Sequence, residues 1–594
     1  MKLTTWFAAA AGLLPTTTAS NAADTADTPP RRIAVIGAGA AGASTAYHLR
    51  QFADQDGVAV NITLFEKTDR IGGRALVAHA FDDPNQPVEL GASIFVEVDA
   101  ILQGAAADFS LPRIPAGGGG NDDGSDSGGS GTGSGMLGIW DGDRFVYTQD
   151  DRAYGWWNLV RLVWTYGTAP YRADKLMQAT VRQFLALYEP PYFPFRSLTT
   201  RAYELELAYV TSQTGAQFLR ANGVSDLYAH DIVQASTRAS YASNLARLHG
   251  LETMMALAPA GGASQIRGGN WQLFDRMVRA SGAAVRRNTS VTAIGLVPGS
   301  APPHSKYIVK TTTTATTTTT QAVDGAGRST SSDDAAEYDD IVIATPYQFS
   351  SIAAGDGVLQ TAIDAIPYVA LHVTLFASPL RLSPAFFGLE PAAAVPTTVL
   401  TTLAEDDDDD DQGASGPDGA GKPGFFSIRT LRRAVNPATL REEYLYKIVS
   451  PEKVTAAFLS ELFDIDIPDS ITGEPLASSS SSSSPSSSVP PISWYYPHVF
   501  HAYPKGYPRV TFQDPIVGDG VYYTSGMESF ISTMETSALM GKNVARLIVD
   551  DIQGLSTGET VAQGPGEQAK KMTKGGKTVA GLQPDKGQQA VGEL

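Results

Sequence analysis

The sequence predicts an α/β fold in which a parallel, nucleotide-type sheet is interleaved with an α+β second domain. Three observations predict it. Residues 33–36 are a short apolar strand-like run, followed at once by Gly37-Ala38-Gly39-Ala40-Ala41-Gly42 and a helix-forming stretch at residues 43–49. Residues 58–65 then supply a second strand that ends on an acid, Glu66. Strand-like stretches return far downstream, at residues 291–296, 338–346 and 521–526, so the sheet is expected to be completed from distant parts of the chain. Strand, G-x-G-x-x-G, helix, second strand and terminal acid together make a Rossmann-type unit.

Each residue of that unit has a physical task. Gly37 allows the tight turn, and Gly39 has no side chain to keep a pyrophosphate from the backbone. Gly42 lets helix and strand pack closely, with Ala38 and Ala41 completing the turn. The helix N-terminus offers free N–H groups and a partial positive charge to phosphate. Glu66 can accept hydrogen bonds from both hydroxyls of a ribose, and its charge repels a 2′-phosphate, which disfavours NADP.

Ile71-Gly72-Gly73-Arg74 follows the acid and resembles the E-x₅-GGR signature of the FAD-dependent amine oxidase and phytoene desaturase superfamily. The resemblance implies FAD as cofactor in a GR2-like domain, with Gly72, Gly73 and Arg74 against the pyrophosphate. Glu89-Leu90-Gly91-Ala92-Ser93 resembles the next element of that superfamily, a loop near the flavin, which adds Gly91 and Ser93 to the expected contacts.

The chain has 594 residues, is 43% hydrophobic and carries a formal net charge of −18. That length suits more than one domain. The charge argues against nucleic acid and anionic membrane surfaces as partners, though part of it is the local acidic run at residues 405–411. Having no cysteine excludes disulfides, thiolate metal sites, a cysteine nucleophile and cysteinyl-linked flavin. At the N-terminus Lys2, an apolar run at residues 6–14 and small residues at 18–23 have the form of a cleaved secretory signal. The run is too short to span a bilayer, and no other stretch is long and apolar enough to do so. Of the two glycosylation sequons, at Asn61 and Asn288, the first leads a core strand, leaving Asn288 as the fair candidate.

In chain order, residues 117–135 read as a Gly/Ser/Asp-rich surface loop and residues 137–147 as a hairpin turning at Asp141-Gly142-Asp143. Residues 154–257 are helical in pattern, and Trp156, Trp157, Val160, Val163 and Trp164 share one apolar face. That face is a wall for a greasy substrate, a membrane-facing patch or ordinary core; the density of aromatics favours a roomy apolar cavity. Gly268-Gly269-Asn270-Trp271 opens a helix to about Arg279. By superfamily resemblance Val291 then meets the adenine through its backbone, and residues 338–346 resemble the YDxVIxAxP strand. The Thr-rich residues 311–332 read as a hairpin tip or disorder. Strands at 367–377, 425–430 and 444–449 suggest a second sheet, with low-complexity insertions at 405–423 and 477–491. Residues 521–526 form a strand ending in glycine, before a helix near residues 532–550. In oxidases of this type that strand and helix close the flavin site, which implies contacts from Gly526, Met527, Thr533 and Met534.

The expected division is a signal peptide at 1–23 and FAD-binding segments at 31–113, 260–365 and 505–551. The substrate domain is expected to be helical at 136–259 and a sheet at 366–504, and residues 552–594 are a polar tail.

The segments GAGAAGASTAYHLR, LFEKTDRIGGR, ELGASIF, WWNLVRLVWTYG, TRASYASN, GGNWQL, WYYPHVFHAYP and GMESFISTMETSA resemble, in order, the prenylcysteine oxidase (prenylcysteine lyase) family. The resemblance implies cleavage of S-farnesyl- or S-geranylgeranyl-cysteine to cysteine, a prenyl aldehyde and hydrogen peroxide, with molecular oxygen as acceptor. It also suits a secreted, vacuolar or lysosomal degradative enzyme, with peripheral membrane contact as a further expectation. Tyr496 and His498 could place water or the substrate carboxylate, or be structural aromatics; hydride abstraction needs no strong base. An amine oxidase or desaturase on the same fold, and a non-catalytic prenyl-lipid escort, are the competing readings. No aromatic pair or Thr-x-Trp pattern supports the first, and the signal and the Gly37–Glu66–Arg74 set argue against the second.

Overall fold

A computed structural model of the chain describes residues 29–115, 136–150, 155–315, 330–404, 419–471 and 490–555. The expected signal, the Gly/Ser loop, the acidic run, most of the serine-rich insertion and almost all of the tail lie outside the described residues.

Four remote parts of the sequence build the first sheet. Its order is Ala284–Arg286, Val60–Phe65, Arg31–Ile36, Asp340–Ile343, Val521–Tyr523 and Ile516–Gly518. The first five strands run parallel and the last is antiparallel. Ile33, Val35, Leu64, Val342 and Val521 are fully buried, as expected of parallel strands covered on both faces. The helix Ala40–Asp56 lies against the helix Met534–Ile552, which begins at a capping box between Thr533 and Thr536. Their backbones touch because Gly541 has no side chain: a Cβ there would lie 2.3 Å from the Ala41 carbonyl oxygen.

A four-stranded sheet flanks this one, in the order Thr330–Tyr338, Tyr307–Ala315, Thr289–Leu296, Ala353–Ala354. Both arms of its long hairpin extend into the Thr-rich stretch, so that stretch is strand on either side of residues 316–329, which are outside the described part.

The second large sheet has seven strands, ordered Trp494–Pro504, Tyr368–Ser378, Glu442–Ser450, Ser427–Val435, Thr398–Thr401, Met136–Trp140, Phe145–Asp150. Helices between Gly155 and Leu257 cover it. Arg238, with no exposed surface, fastens the helices to the sheet. Its guanidinium donates to Thr401 Oγ1 at 2.9 Å, Gly419 O and Ala420 O at 2.7 Å and Asn244 Oδ1 at 2.8 Å, and lies over the Phe426 ring. This gives the TRASYASN segment its structural role.

Two expectations differ from the structure. The strand at Val521 ends at Tyr523, and Ser525–Ser529 forms a 3₁₀ turn. The described part of the apolar face of the helix Gly155–Tyr166 does not line the cavity: Trp164 is 90% exposed, with Val160 and Val163 about half exposed. The helix is anchored on its other side, where the Tyr166 hydroxyl donates to Asp231 at 3.0 Å. The side chains of Trp156 and Trp157 lie outside the described residues.

Two glycines predict opposite outcomes. Gly541→Ala forces apart two packed helices and should cost on the order of 1–3 kcal/mol. Gly104, inside the helix Ala100–Asp108, has nothing within 4 Å of a built Cβ, so Gly104→Ala should stabilise by about 0.5–1 kcal/mol. Thermal unfolding of both variants checks the sign of each.

Candidate active site

A cavity of about 1460 Å³ runs between the parallel sheet and the seven-stranded sheet. Its first end is made almost wholly of backbone. Gly37, at φ +106°, sits where a Cβ would lie 2.7 Å from Ala344 O, and a Cβ on Gly42 would lie 1.9 Å from Gly37 O. Gly39 is different: only Gly73 Cα comes within 4 Å of its built Cβ, so the face it offers is open to the cavity. Gly73, at φ +57°, lies opposite it. Gly72 N donates to Ala38 O at 2.9 Å, stitching the GGR turn to the first glycine turn.

Glu66 is buried and holds these pieces in place. Its Oε2 accepts from Ala38 N at 2.9 Å, and its Oε1 accepts from Thr68 N at 2.9 Å and Thr68 Oγ1 at 2.8 Å. Each oxygen can accept more than it does here, which leaves capacity for ribose hydroxyls.

The expected contacts divide cleanly. Gly37, Gly39, Ala41, Glu66, Gly72 and Gly73 line this end of the cavity, and Arg74, Gly91, Ser93, Thr533 and Met534 line it further along. Ala38 and Gly42 are in the turn itself, behind the lining. Val291, Gly526 and Met527 are not brought to the cavity. Val291 is buried with Phe65 and Ile294 in the core beneath the flanking sheet. A Cβ on Gly526 would meet Gln513 O at 2.6 Å, so that glycine closes a turn, and Met527 is fully buried. Arg74 reaches the cavity wall, but its guanidinium is committed to Glu528 at 2.8 Å and Ala502 O at 2.6 Å. Glu528 also accepts from the Tyr368 hydroxyl at 3.1 Å.

Tyr496 and His498 are likewise away from the cavity. They form an aromatic row with Trp494 and Phe500 along the strand Trp494–Pro504, and the strand reaches the cavity only at Phe500, His501, Ala502 and Tyr503. The residues sequence reasoning missed are therefore next door. Strand periodicity from Trp494 through Phe500 marks their shared face, but nothing local marks where along it the cavity begins.

At the second end the loop with Gly91 lies on the seven-stranded sheet. Lys447 Nζ donates to Glu89 O at 3.0 Å and Ser93 Oγ at 3.1 Å. Asn270 donates through N to Glu89 Oε1 and through Nδ2 to Ala92 O at 2.8 Å. This is what the Gly268-Gly269-Asn270 segment does. Burial pushes Glu89 up to about 7, and burial, then Arg429, brings Lys447 down to about 8. Tyr241 and Tyr503 meet edge to face, centroids 5.7 Å apart, and both line the cavity. Phe349 and His501 stack at 4.3 Å on its wall.

The first end fits FAD on this structure's own features. The helix Ala40–Asp56 begins at Gly39 with no side-chain cap, so its first N–H groups are available to phosphate. Arg70 lines the cavity with Nη1 buried and, among the described residues, without a hydrogen-bond partner, a donor that a phosphate oxygen would satisfy. The N-terminus of Met534–Ile552 opens on the same cavity through Thr533 and Met534 and favours negative charge there.

Gly39→Val should fill the open face and abolish FAD retention on purification. Glu66→Ala removes charge-assisted hydrogen bonds worth roughly 1.5–3 kcal/mol each and should lower retained flavin. The flavin-to-protein absorbance ratio checks both, and a full complement in either contradicts the assignment.

Behind Tyr241 and Tyr503 lies Glu252, fully buried, with neither oxygen hydrogen-bonded among the described residues. It fits only because Gly506 has no side chain: a Cβ there would lie 1.6 Å from Oε2. Burial, partly offset by Arg509, pushes Glu252 from 4.5 up to about 8. The folded state thus holds a proton that the unfolded chain releases, and this contribution is full below pH 4.5 and lost as pH rises through about 8. Glu252→Gln should remove the dependence. Wild type should lose stability relative to the variant between these limits, by up to about 1.4 kcal/mol per pH unit. Denaturant unfolding at three pH values measures it, and parallel curves would contradict the placement.

The model of the family "Prenylcysteine lyase" matches residues 149–558, and that of an NAD(P)-binding Rossmann-like domain matches residues 35–105. The chain is 25% identical over 543 residues to a farnesylcysteine lyase of Arabidopsis thaliana, covering 88% of this chain and 89% of that protein. It is 30% identical over 346 residues to a prenylcysteine oxidase 1-like protein of Bos taurus, covering 57% and 61%. To the prenylcysteine oxidase 1 of Homo sapiens it is 26% identical over 220 residues, covering 36% and 38%. The family match spans most of the chain and the glycine cradle supplies the part upstream of it, so this FAD-dependent oxidoreductase belongs to the prenylcysteine lyase family.

Proposed function

We propose that the chain is a thioether oxidase that cleaves S-prenyl-L-cysteine, with a farnesyl or geranylgeranyl chain, during breakdown of prenylated proteins. One observation supports this above the rest: a single cavity joins an FAD-fitting cradle to a long wall in which apolar side chains outweigh polar ones. The balanced reaction takes the prenyl thioether, molecular oxygen and water to cysteine, prenyl aldehyde and hydrogen peroxide. FAD, when bound, supplies a two-electron acceptor for the carbon beside sulfur. Sulfur and the allylic double bond share the positive charge at that carbon, so no strong base is required of the protein. Water then adds, and the hemithioacetal collapses to thiol and aldehyde.

The chain's own residues bind, orient and shield. Val181, Phe184, Met255 and Leu257 on the helices and Leu371 and Val373 on the sheet all line the cavity, an apolar lining suited to an isoprenoid chain. Tyr241 and Tyr503 narrow it with edge-to-face rings. Arg74, Glu528 and Tyr368 form a hydrogen-bonded set that keeps one charge of each sign fixed beside it.

In our reading the enzyme works in the secretory pathway, in a vacuolar, lysosomal or secreted setting. Among the described residues no helix is long and apolar enough to cross a membrane. The exposed Val160, Val163 and Trp164 support peripheral contact with a lipid surface, which would place the slot near a source of apolar substrate.

The test is an anaerobic mix of the flavin-loaded protein with farnesylcysteine, S-methylcysteine and benzylamine. Farnesylcysteine alone should bleach the flavin, and air should restore it with one peroxide per aldehyde. Each methylene removed from the chain should cost about 0.8 kcal/mol of binding. Bleaching by benzylamine alone would give the amine-oxidase reading. Binding of farnesylcysteine without bleaching would give the escort reading.

A further inference from the structure

Arg429 is a charge on the cavity wall that nothing above uses. Arg429 sits on the strand Ser427–Val435, directly opposite Thr398 on one neighbouring strand and Lys447 on the other. All three line the cavity. Lys447 is occupied by Glu89 O and Ser93 Oγ, and Arg433, further along the strand, is paired with Glu442. Arg429 has no such partner: among the described residues no hydrogen bond or ion pair engages its guanidinium. Burial alone acts on it, with no carboxylate to hold its charge. The carboxylates that also line the cavity do not reach it: Glu89 accepts from Asn270 N through Oε1 while its Oε2 is unpartnered among the described residues, and Asp99 accepts from Val96 N at 2.7 Å. Glu66 holds the glycine turn, Glu528 holds Arg74, and Glu535 accepts from the backbone of Ile101 and Leu102.

Two cations directly opposite one another on a sheet repel, and an unpaired, partly buried charge is costly until an anion meets it. A guanidinium presents two parallel N–H groups, the shape that a carboxylate accepts. The position is at the sheet end of the cavity, remote in sequence and strand from the glycine cradle that fits the phosphates.

We propose that Arg429 is a specificity-determining residue that binds the α-carboxylate of the amino-acid end of the substrate. The proposal rests on the thioether reading. It makes the enzyme selective for the free amino acid, because a peptide bond or methyl ester at that carboxyl removes the negative charge. It also fixes one end of the substrate, so that the thioether carbon is positioned by a polar anchor as well as by the apolar slot.

Two unreactive probes isolate the interaction: S-dodecyl-L-cysteine, a saturated thioether, and S-dodecylcysteamine, which lacks only the carboxylate. Calorimetry on the flavin-loaded protein under anaerobic conditions should show the first binding about ten- to one-hundred-fold more tightly. Arg429→Gln should bring the two within about twofold, with flavin content and thermal midpoint unchanged, and Arg429→Lys should recover part of the difference. With farnesylcysteine, the Gln variant should raise KM far more than it lowers kcat. Equal affinity of wild type for the two probes overturns the assignment and leaves the thioether reading standing. So does an equal loss for both in the variant, as a merely structural role would give. Loss of flavin from Arg429→Gln also overturns it, placing the residue on the cofactor. Failure of both probes to bind wild type overturns the proposal and the thioether reading together.

Discussion

The carboxylate of Glu66 is the constraint on which the cofactor end depends. One oxygen takes the N–H of Ala38 in the glycine turn, and the other takes the N–H and hydroxyl of Thr68 at the start of the GGR segment. A single buried charge therefore sets the distance between two stretches that must face each other across a pyrophosphate. The surrounding bonds lean on that setting. Gly72 N reaches Ala38 O, Gly37 N reaches Phe65 O, and Glu66 itself, through its backbone, joins Arg286 and Thr289. Charged acceptors bonded by backbone N–H groups are among the stronger polar interactions a fold has, and here one is spent on the geometry of a turn.

The cofactor end was the most legible part of the sequence, and the reason is locality. Residues 31–74 contain strand, turn, helix, strand and acid within one unit, and each glycine has a steric reason that can be read without knowing the rest of the chain. The Asn270 segment and the strand at Asp340 were legible for the same reason. What failed was distance across the fold. A helical period shows that Val160, Val163 and Trp164 share a face but is silent on whether anything covers that face, and solvent does. A strand period groups Tyr496 and His498 with Phe500 but does not say that only Phe500 reaches the cavity. Arg429 and Lys447 come together through register between strands eighteen residues apart in sequence, beyond any local pattern. Val291 was placed by resemblance through its backbone, and its side chain packs against Phe65 and Ile294.

The two halves of the molecule meet through polar groups held in unusual states. Lys447 hangs the Glu89–Ser93 loop from the seven-stranded sheet, and Asn270 ties the same loop to the helix Trp271–Ala280. Arg238 does the equivalent work on the far side, binding the helices to Thr401 and to the carbonyls of Gly419 and Ala420. Such networks are demanding, because every donor lost inside leaves a desolvated partner. They also hold the cavity walls at fixed separation, which an apolar seam alone would not specify.

The parallel sheet has a consequence for how the chain is made. Its central strands are Arg31–Ile36 and Asp340–Ile343, and the next, Val521–Tyr523, is near the end of the described chain. During synthesis the first βαβ unit emerges early but has no neighbour on either side, since Ala284–Arg286 and Asp340–Ile343 both follow later, and its helix waits for Met534–Ile552 to cover it. Pairings of such long sequence separation form slowly and leave strand edges and apolar surface open meanwhile. The nascent protein should therefore lean on chaperones until residues 521–552 have left the ribosome, and termination before them should yield aggregates rather than a folded nucleotide domain.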